Sequence, residues 1–287
     1  MFYIETIIKK IDPKIWKHGF YVFGIIIIVH LYMIVNFMPN YDSIDLLVSS
    51  NDILTSGRWS LKYLSLPSSW FNVHYAEGVL SIFYLTLSGI AVYKLLELKN
   101  TILSILAAII IGIYPTVAST FTFMYTADGY FLGLLMGIIA IVLFFQSESI
   151  IAFILGGLLL GLSIGAYQAD LSTVCAICGA AIFSRAAREE SSIYIIKKCG
   201  KLLRGISLGC AIYGIGLKIR LTMNNAVLTT YQGINEVTIF HSPKWYLKRF
   251  SACYSNFLDV IFSQDTDNYP FFSNNDSNSL SVSLFVN

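Results

Sequence analysis

Charge is what this chain has least of. Asp, Glu, Lys and Arg supply 13% of its 287 residues, about half the share found in soluble globular domains. That deficit excludes an ordinary soluble enzyme. It also excludes a disordered chain, which needs low hydrophobicity and high charge. Nineteen bases against 17 acids leave a net charge of +2, so the basic excess of a nucleic-acid binder is missing as well. Neither G-x-x-x-x-G-K-[ST] nor a strand-borne G-x-G-x-x-G occurs. The phosphate-cradling loops of a nucleotide-driven pump or a soluble-type sugar-nucleotide transferase are therefore absent. The histidines His18, His30, His74 and His241 keep no HxxxH or HExxH spacing, so a histidine metal site has no support. Among five cysteines, Cys175 and Cys178 are spaced as CxxC. They lie on an apolar stretch without a second pair, which favours helix packing over zinc or redox chemistry.

What the chain does have is long charge-free apolar runs. Hydrophobic residues make up 56% of it, and its mean hydropathy is +0.67. A bilayer core of about 30 Å takes about 20 apolar residues as a helix. Phe20 to Met38, with no formal charge between Lys17 and Asp42, is the first predicted span. It is too long for a signal core and no small-residue cleavage site follows, so it is read as retained. Gly78 to Tyr93 is a short second span between Glu77 and Lys94, both able to snorkel. Lys99 to Glu148 holds one charge, Asp128, and suits two spans that turn at or near it. Ser149 to Ala169, Leu171 to Ser184 and Leu202 to Leu217 make about seven. Lipid tolerates no exposed unpaired backbone, so these are helices or re-entrant pieces buried by other helices. The expected fold is all-α, a polytopic transmembrane helical bundle over residues 1–217 with a long structured first outer loop at 39–75. Residues 218–262 are expected to form an outer juxtamembrane segment. Within it, Trp245 to Phe262 suits an amphipathic helix on the membrane surface or on the bundle. The Ser/Asn/Asp-rich residues 263–287 read as a flexible tail.

Lys and Arg in short loops set orientation. With the N-terminus in the cytoplasm, Lys9, Lys10, Lys14, Lys17, Lys94, Lys99, Arg185, Arg188, Lys197, Lys198, Lys201 and Arg204 all face it, twelve of the nineteen bases. Asp42, Asp45, Asp52, Glu77, Asp128 and Asp170 then fall on the outer side, with Arg58 and Lys62.

The candidate chemistry sits there. Asp42 and Asp45 are spaced i, i+3, so a helix would put both carboxylates on one face. Asp42 reads equally as a helix N-cap after Pro39-Asn40-Tyr41. Gly57-Arg58-Trp59 offers a planar guanidinium beside an aromatic on a glycine turn, which suits phosphate. Pairing of Arg58 with Asp45 or Asp52 is the alternative. Glu77 is read as a membrane-edge cap or a functional acid. Tyr125 and Tyr130 flank Asp128, where they fit either an interfacial belt or sugar stacking. Tyr167 and Gln168 can bond a polyol's hydroxyls or a neighbouring helix. An enzyme working outside has no cytosolic nucleotide sugar, so a lipid-phosphate-linked sugar is the natural donor. The chemistry needs a carboxylate to take the acceptor's proton and a cation on the departing phosphate.

PNYDSIDLL…LTSGRW, YPTVASTFTFMYTADGY and SIGAYQADLS, in that order over residues 20–184, resemble the membrane glucosyltransferases related to phage serotype-converting enzymes that modify O-antigen. The resemblance implies a GT-C-type transferase in the bacterial cytoplasmic (inner) membrane, multi-pass and active on the outer face. It would move glucose from a polyprenyl-phosphate-linked donor to lipopolysaccharide or another surface glycan. It puts the outer-loop acid on Asp42 with Asp45 beside it, the Gly-Arg pair on Gly57 and Arg58, and a later acid on Asp128. Trp59, Glu77, Tyr125, Asp128, Tyr130, Tyr167 and Gln168 are the expected substrate contacts. A divalent metal (Mg or Mn) on two close acids is left open. The competing expectations are a transporter or flippase for a lipid-linked or small solute, and a truncated, inactive transferase. The latter is considered because family members are usually longer and the match weakens past Leu217.

Overall fold

A computed structural model describes residues 13–36, 38–40, 51–66, 74–98, 101–123, 125–230 and 242–262. Every described element is helical: α1 Pro13–Val35, α2 Asn51–Thr55, α3 Leu61–Leu64, α4 His74–Leu96, α5 Thr101–Ile113, α6 Pro115–Phe121, α7 Ala127–Gln146, α8 Ile150–Ala166, α9 Asp170–Ala186, α10 Ser192–Met223 and α11 Pro243–Phe262. The chain divides into two units, residues 1–234 and 235–287. The first holds the bundle. Among the described residues of the second, α11 is the one helix.

Each predicted span has a helix, but the lengths differ. Among the described residues four are long and apolar enough to cross a bilayer: Ile15–Val35, His74–Leu96, Ala127–Gln146 and Ser192–Met223. The run expected as Gly78 to Tyr93 extends a turn further at each end, to His74 and Leu96. A single charge does not end a helix, and Glu77 in the first turn is favoured by the helix dipole. Between Lys99 and Asp128 the chain breaks at Tyr114. Pro115, at the first position of α6, has no N–H for a continuing helix. At 1.5 Å per residue, α5 alone is about 20 Å long and α8 or α9 about 26 Å, each short of the core. Asp52, one of the two acids expected as a partner for Arg58, lies in α2.

Helix α7 is the centre. It packs on α4, α8, α9 and α10, and α4 in turn carries α1 and α5. Glycines let the neighbours close in. The Phe144 ring of α7 lies against Gly156 of α8 and Gly205 of α10, where an added Cβ would be 2.6 and 2.7 Å from it. Apolar tails gain nothing from helix association in lipid, so close backbone packing of this kind holds the bundle.

The two ends of the bundle differ in charge. At one, α4, α7 and α9 all begin with an acid in the first turn, Glu77, Asp128 and Asp170. At the other, Arg185 of α9 holds Glu97 through both guanidinium nitrogens at 2.6 and 2.7 Å, and Arg188 reaches Glu97 at 2.8 Å. Arg188 also donates to the Leu96 carbonyl, an acceptor left over at the end of α4. Lys198 bonds the Phe145 carbonyl at 2.7 Å and Glu148 at 2.9 Å, and Lys201 bonds Glu148 and the Ser147 carbonyl. Four of the bases that set the predicted orientation are thus also clamps between helices.

Candidate functional site

The segment from α2 to α3 is built to present Arg58. Helix α2 ends in a Schellman pattern: Gly57 N–H donates to the Leu54 carbonyl at 2.9 Å and Arg58 N–H to the Ile53 carbonyl at 3.1 Å. The pattern needs a left-handed residue, and Gly57 has φ +82°. The chain then docks on the bundle. Ser60 N–H donates to the Gly165 carbonyl near the end of α8, and Ser60 Oγ to the Leu162 carbonyl. The Trp59 ring packs against Gly165 and Gly216, where an added Cβ would be 2.8 or 2.5 Å from it. Leu61, fully buried, forms a small apolar cluster with Tyr130 and Ala166.

A polar latch closes the same turn. Gln168 Nε2 donates to the Ser56 carbonyl at 2.8 Å and lies 3.4 Å from the Tyr213 hydroxyl. Tyr213 Oη donates to the Gly57 carbonyl at 3.3 Å. Sequence reasoning passed over Tyr213. Its signal was a lone phenol in an otherwise apolar stretch of α10, because a buried tyrosine hydroxyl normally finds a partner.

Arg58 emerges between two tyrosines. Nη1 donates to Tyr130 Oη at 2.7 Å. The guanidinium carbon stands 5.7 Å from the Tyr130 ring centre and 5.2 Å from that of Tyr167. The two rings meet edge to face at 5.3 Å. With Thr120 and Phe123 these residues line a cavity of about 30 Å³. Among the described residues no carboxylate lies within ion-pair distance of Arg58. The arrangement is a cation with fixed direction, partly stripped of water, facing a small hollow walled mainly by aromatic rings. Among the described residues no acid has to be displaced before Arg58 takes an anionic oxygen.

Glu77 and Asp128 form a second group. Asp128 is fully buried and Glu77 is 2% exposed. Asp128 lies close enough for its charge to act on Glu77 and on Tyr84. Glu77 lines a cavity of about 10 Å³ with His74, Met33, Ile34, Phe121 and Ala127. That is room for one water molecule at most. Neither oxygen of Glu77 has a hydrogen-bond partner among the described residues. Asp128 and Tyr130 are two residues apart in α7, so they point to different sides of it. Arg58 with Tyr130 and Tyr167 is therefore one cluster, and Glu77 with Asp128 another. Tyr125 is half-buried in the turn before α7. Asp42 and Asp45 lie outside the described residues. Within those residues no group of three His, Cys, Asp or Glu side chains is placed to hold a metal ion.

The family model described as Glucosyl transferase GtrII matches residues 31–286. The chain belongs to that family. No curated protein and no solved structure matches it. It is accordingly a glucosyltransferase, and its apolar helices make it a membrane protein. The family match also reaches well past Leu217. The likeness that the sequence motifs trace over residues 20–184 thus continues through α10 and α11.

Proposed function

We propose that this glucosyltransferase takes glucose from a polyprenyl-phosphate donor and places it on a surface glycan, at the acidic end of the bundle. That end faces away from the cytoplasm, in a bacterial inner membrane with the N-terminus inside. The observation that carries the proposal is Arg58, a guanidinium aimed by a docked turn and two tyrosines, with no acid beside it among the described residues. Arg58 holds the donor phosphate. An acceptor hydroxyl attacks the anomeric carbon, and the bond from that carbon to the phosphate oxygen breaks. The hydroxyl proton passes to Asp42, with Asp45 as its neighbour, and the charge developing on the departing phosphate meets Arg58. Tyr130 and Tyr167 hold the guanidinium in plane, while Trp59 and Gln168 fix the turn that bears it.

The test is the protein reconstituted in liposomes with polyprenyl-phosphate glucose. Donor is expected to be consumed with transfer to the glycan, and Asp42→Asn is expected to stop it. Normal turnover by Asp42→Asn removes the base assignment. Movement of solute with no loss of donor replaces the transferase proposal with a transporter.

A further inference from the structure

Helix α11 is not used by that chemistry, yet its residues are strongly sorted. Pro243 occupies its first position, where the missing N–H costs nothing. Tyr246, Leu247, Phe250 and Tyr254 are spaced so that they share one stripe of the helix. They are 50%, 67%, 64% and 57% exposed. Four large apolar side chains standing together in water would be an aggregation hazard. Bases flank this stripe, Lys244 on one side and Arg249 on the other, while Lys248 projects from the opposite face. Arg249 stacks over the Trp245 ring at 5.1 Å. The segment's sequence has one acid, Asp259, against these three bases. An apolar stripe with a long cationic side chain on each side, Lys244 and Arg249, matches the cross-section of a bilayer surface. Rings and Leu enter the acyl boundary while the bases reach up to lipid phosphates.

We propose that α11 lies in the membrane interface and that its partner is the anionic phospholipid surface. This does not depend on the transfer chemistry, so either can fail alone. The charge pattern selects the partner: a neighbouring protein surface would need no basic border on both edges of the stripe, whereas a layer of phosphates satisfies both at once.

The experiment uses the full chain in lipid nanodiscs, with its native cysteines replaced. Single cysteines introduced by Phe250→Cys, Leu247→Cys or Lys248→Cys carry an NBD fluorophore, and a spin-labelled phospholipid acts as quencher. At 250 and 247 the emission is expected to shift to the blue and to fall roughly twofold with the quencher, while 248 stays water-like. In discs without phosphatidylglycerol, or with Lys244, Lys248 and Arg249 all changed to Ala, the quenching at 247 and 250 is expected to drop by about half or more. Water-like emission at all three positions would overturn the proposal. So would a blue shift at 250 and 247 without lipid quenching, which means protein packing. Quenching indifferent to lipid charge would overturn the choice of anionic lipid.

Discussion

Arg58 holds a charge where few alternatives would serve. A lysine keeps the charge but not the plane that lies between Tyr130 and Tyr167, nor the fork that bonds the Tyr130 hydroxyl while leaving other donors free. Arg58→Lys is expected to raise the donor KM, and Arg58→Ala to cost about 10- to 100-fold in kcat/KM, the range for a lost hydrogen bond to a charged group. Kinetics with varied lipid donor checks this, and a KM unchanged in both variants would remove Arg58 from the phosphate. Glu77 presents the opposite case. Its carboxyl is buried with no hydrogen-bond partner among the described residues, a placement that costs stability in a membrane helix. An acid kept at such cost is a candidate for function rather than support. Glu77→Gln is expected to raise the melting temperature, by about 2–4 °C for each kcal/mol of burial cost relieved, and to lower transfer. A fall in melting temperature would show instead that the carboxyl holds the bundle together.

The turn between α2 and α3 works as one element, and its parts can be ranked. Gly57→Ala adds a left-handed alanine and a Cβ 2.6 Å from Gln168 Nε2, so backbone and latch are both disturbed. Gln168→Ala removes the donor to the Ser56 carbonyl but leaves the backbone alone. Tyr213→Phe removes only long bonds of 3.3 and 3.4 Å. Activity is expected to fall in that order, with Tyr213→Phe within about threefold of the parent by the usual worth of a neutral hydrogen bond. Helix content by circular dichroism is expected to stay the same in all three. Equal losses would mean that the turn is not held by this latch. Gly57-Arg58 was legible as a turn presenting a cation, because glycine and an outward base form a local signal. Gln168 was legible as a polar residue at a helix junction. Its partner was not, since Ser56 is 112 residues away, and the bond of Tyr213 to Gly57 spans 156. Spacing along a chain reports neighbours on one helix, and these contacts join different ones.

Over the whole molecule, apolar runs with few or no charges located the helices that can cross a bilayer, since a helix in lipid must be apolar along most of its length. They did not fix where helices end. Pro115 divides one run, and Glu77 and Lys94 fail to end another. Among the described residues Glu77, Asp128 and Asp170 open helices at one end and Arg185, Arg188, Lys198 and Lys201 clamp the other, and that basic end has a consequence for pH. Bonding by Arg185, then by Arg188, holds the Glu97 carboxyl below its ordinary range. Lys198 and Lys201 hold that of Glu148 down at about 2. A carboxylate lowered in the folded state stabilises it above the unfolded pKa, and that stability is lost as pH falls through the folded value. The contribution of these two clamps to the melting temperature, read as parent minus double variant, is therefore expected to be constant from pH 8 to about 5, then to fall toward pH 2 as the two groups protonate. The Glu97→Gln, Glu148→Gln double variant is expected to start lower at pH 7 and to lose less on acidification. Glu148, 76% exposed, lies largely in water, so its share is expected to vanish in about 1 M salt. Glu97, bonded twice by Arg185, is expected to keep more of its own. An acid limb equally steep in parent and double variant would show that the clamps at the basic end do not set the acid stability of the bundle.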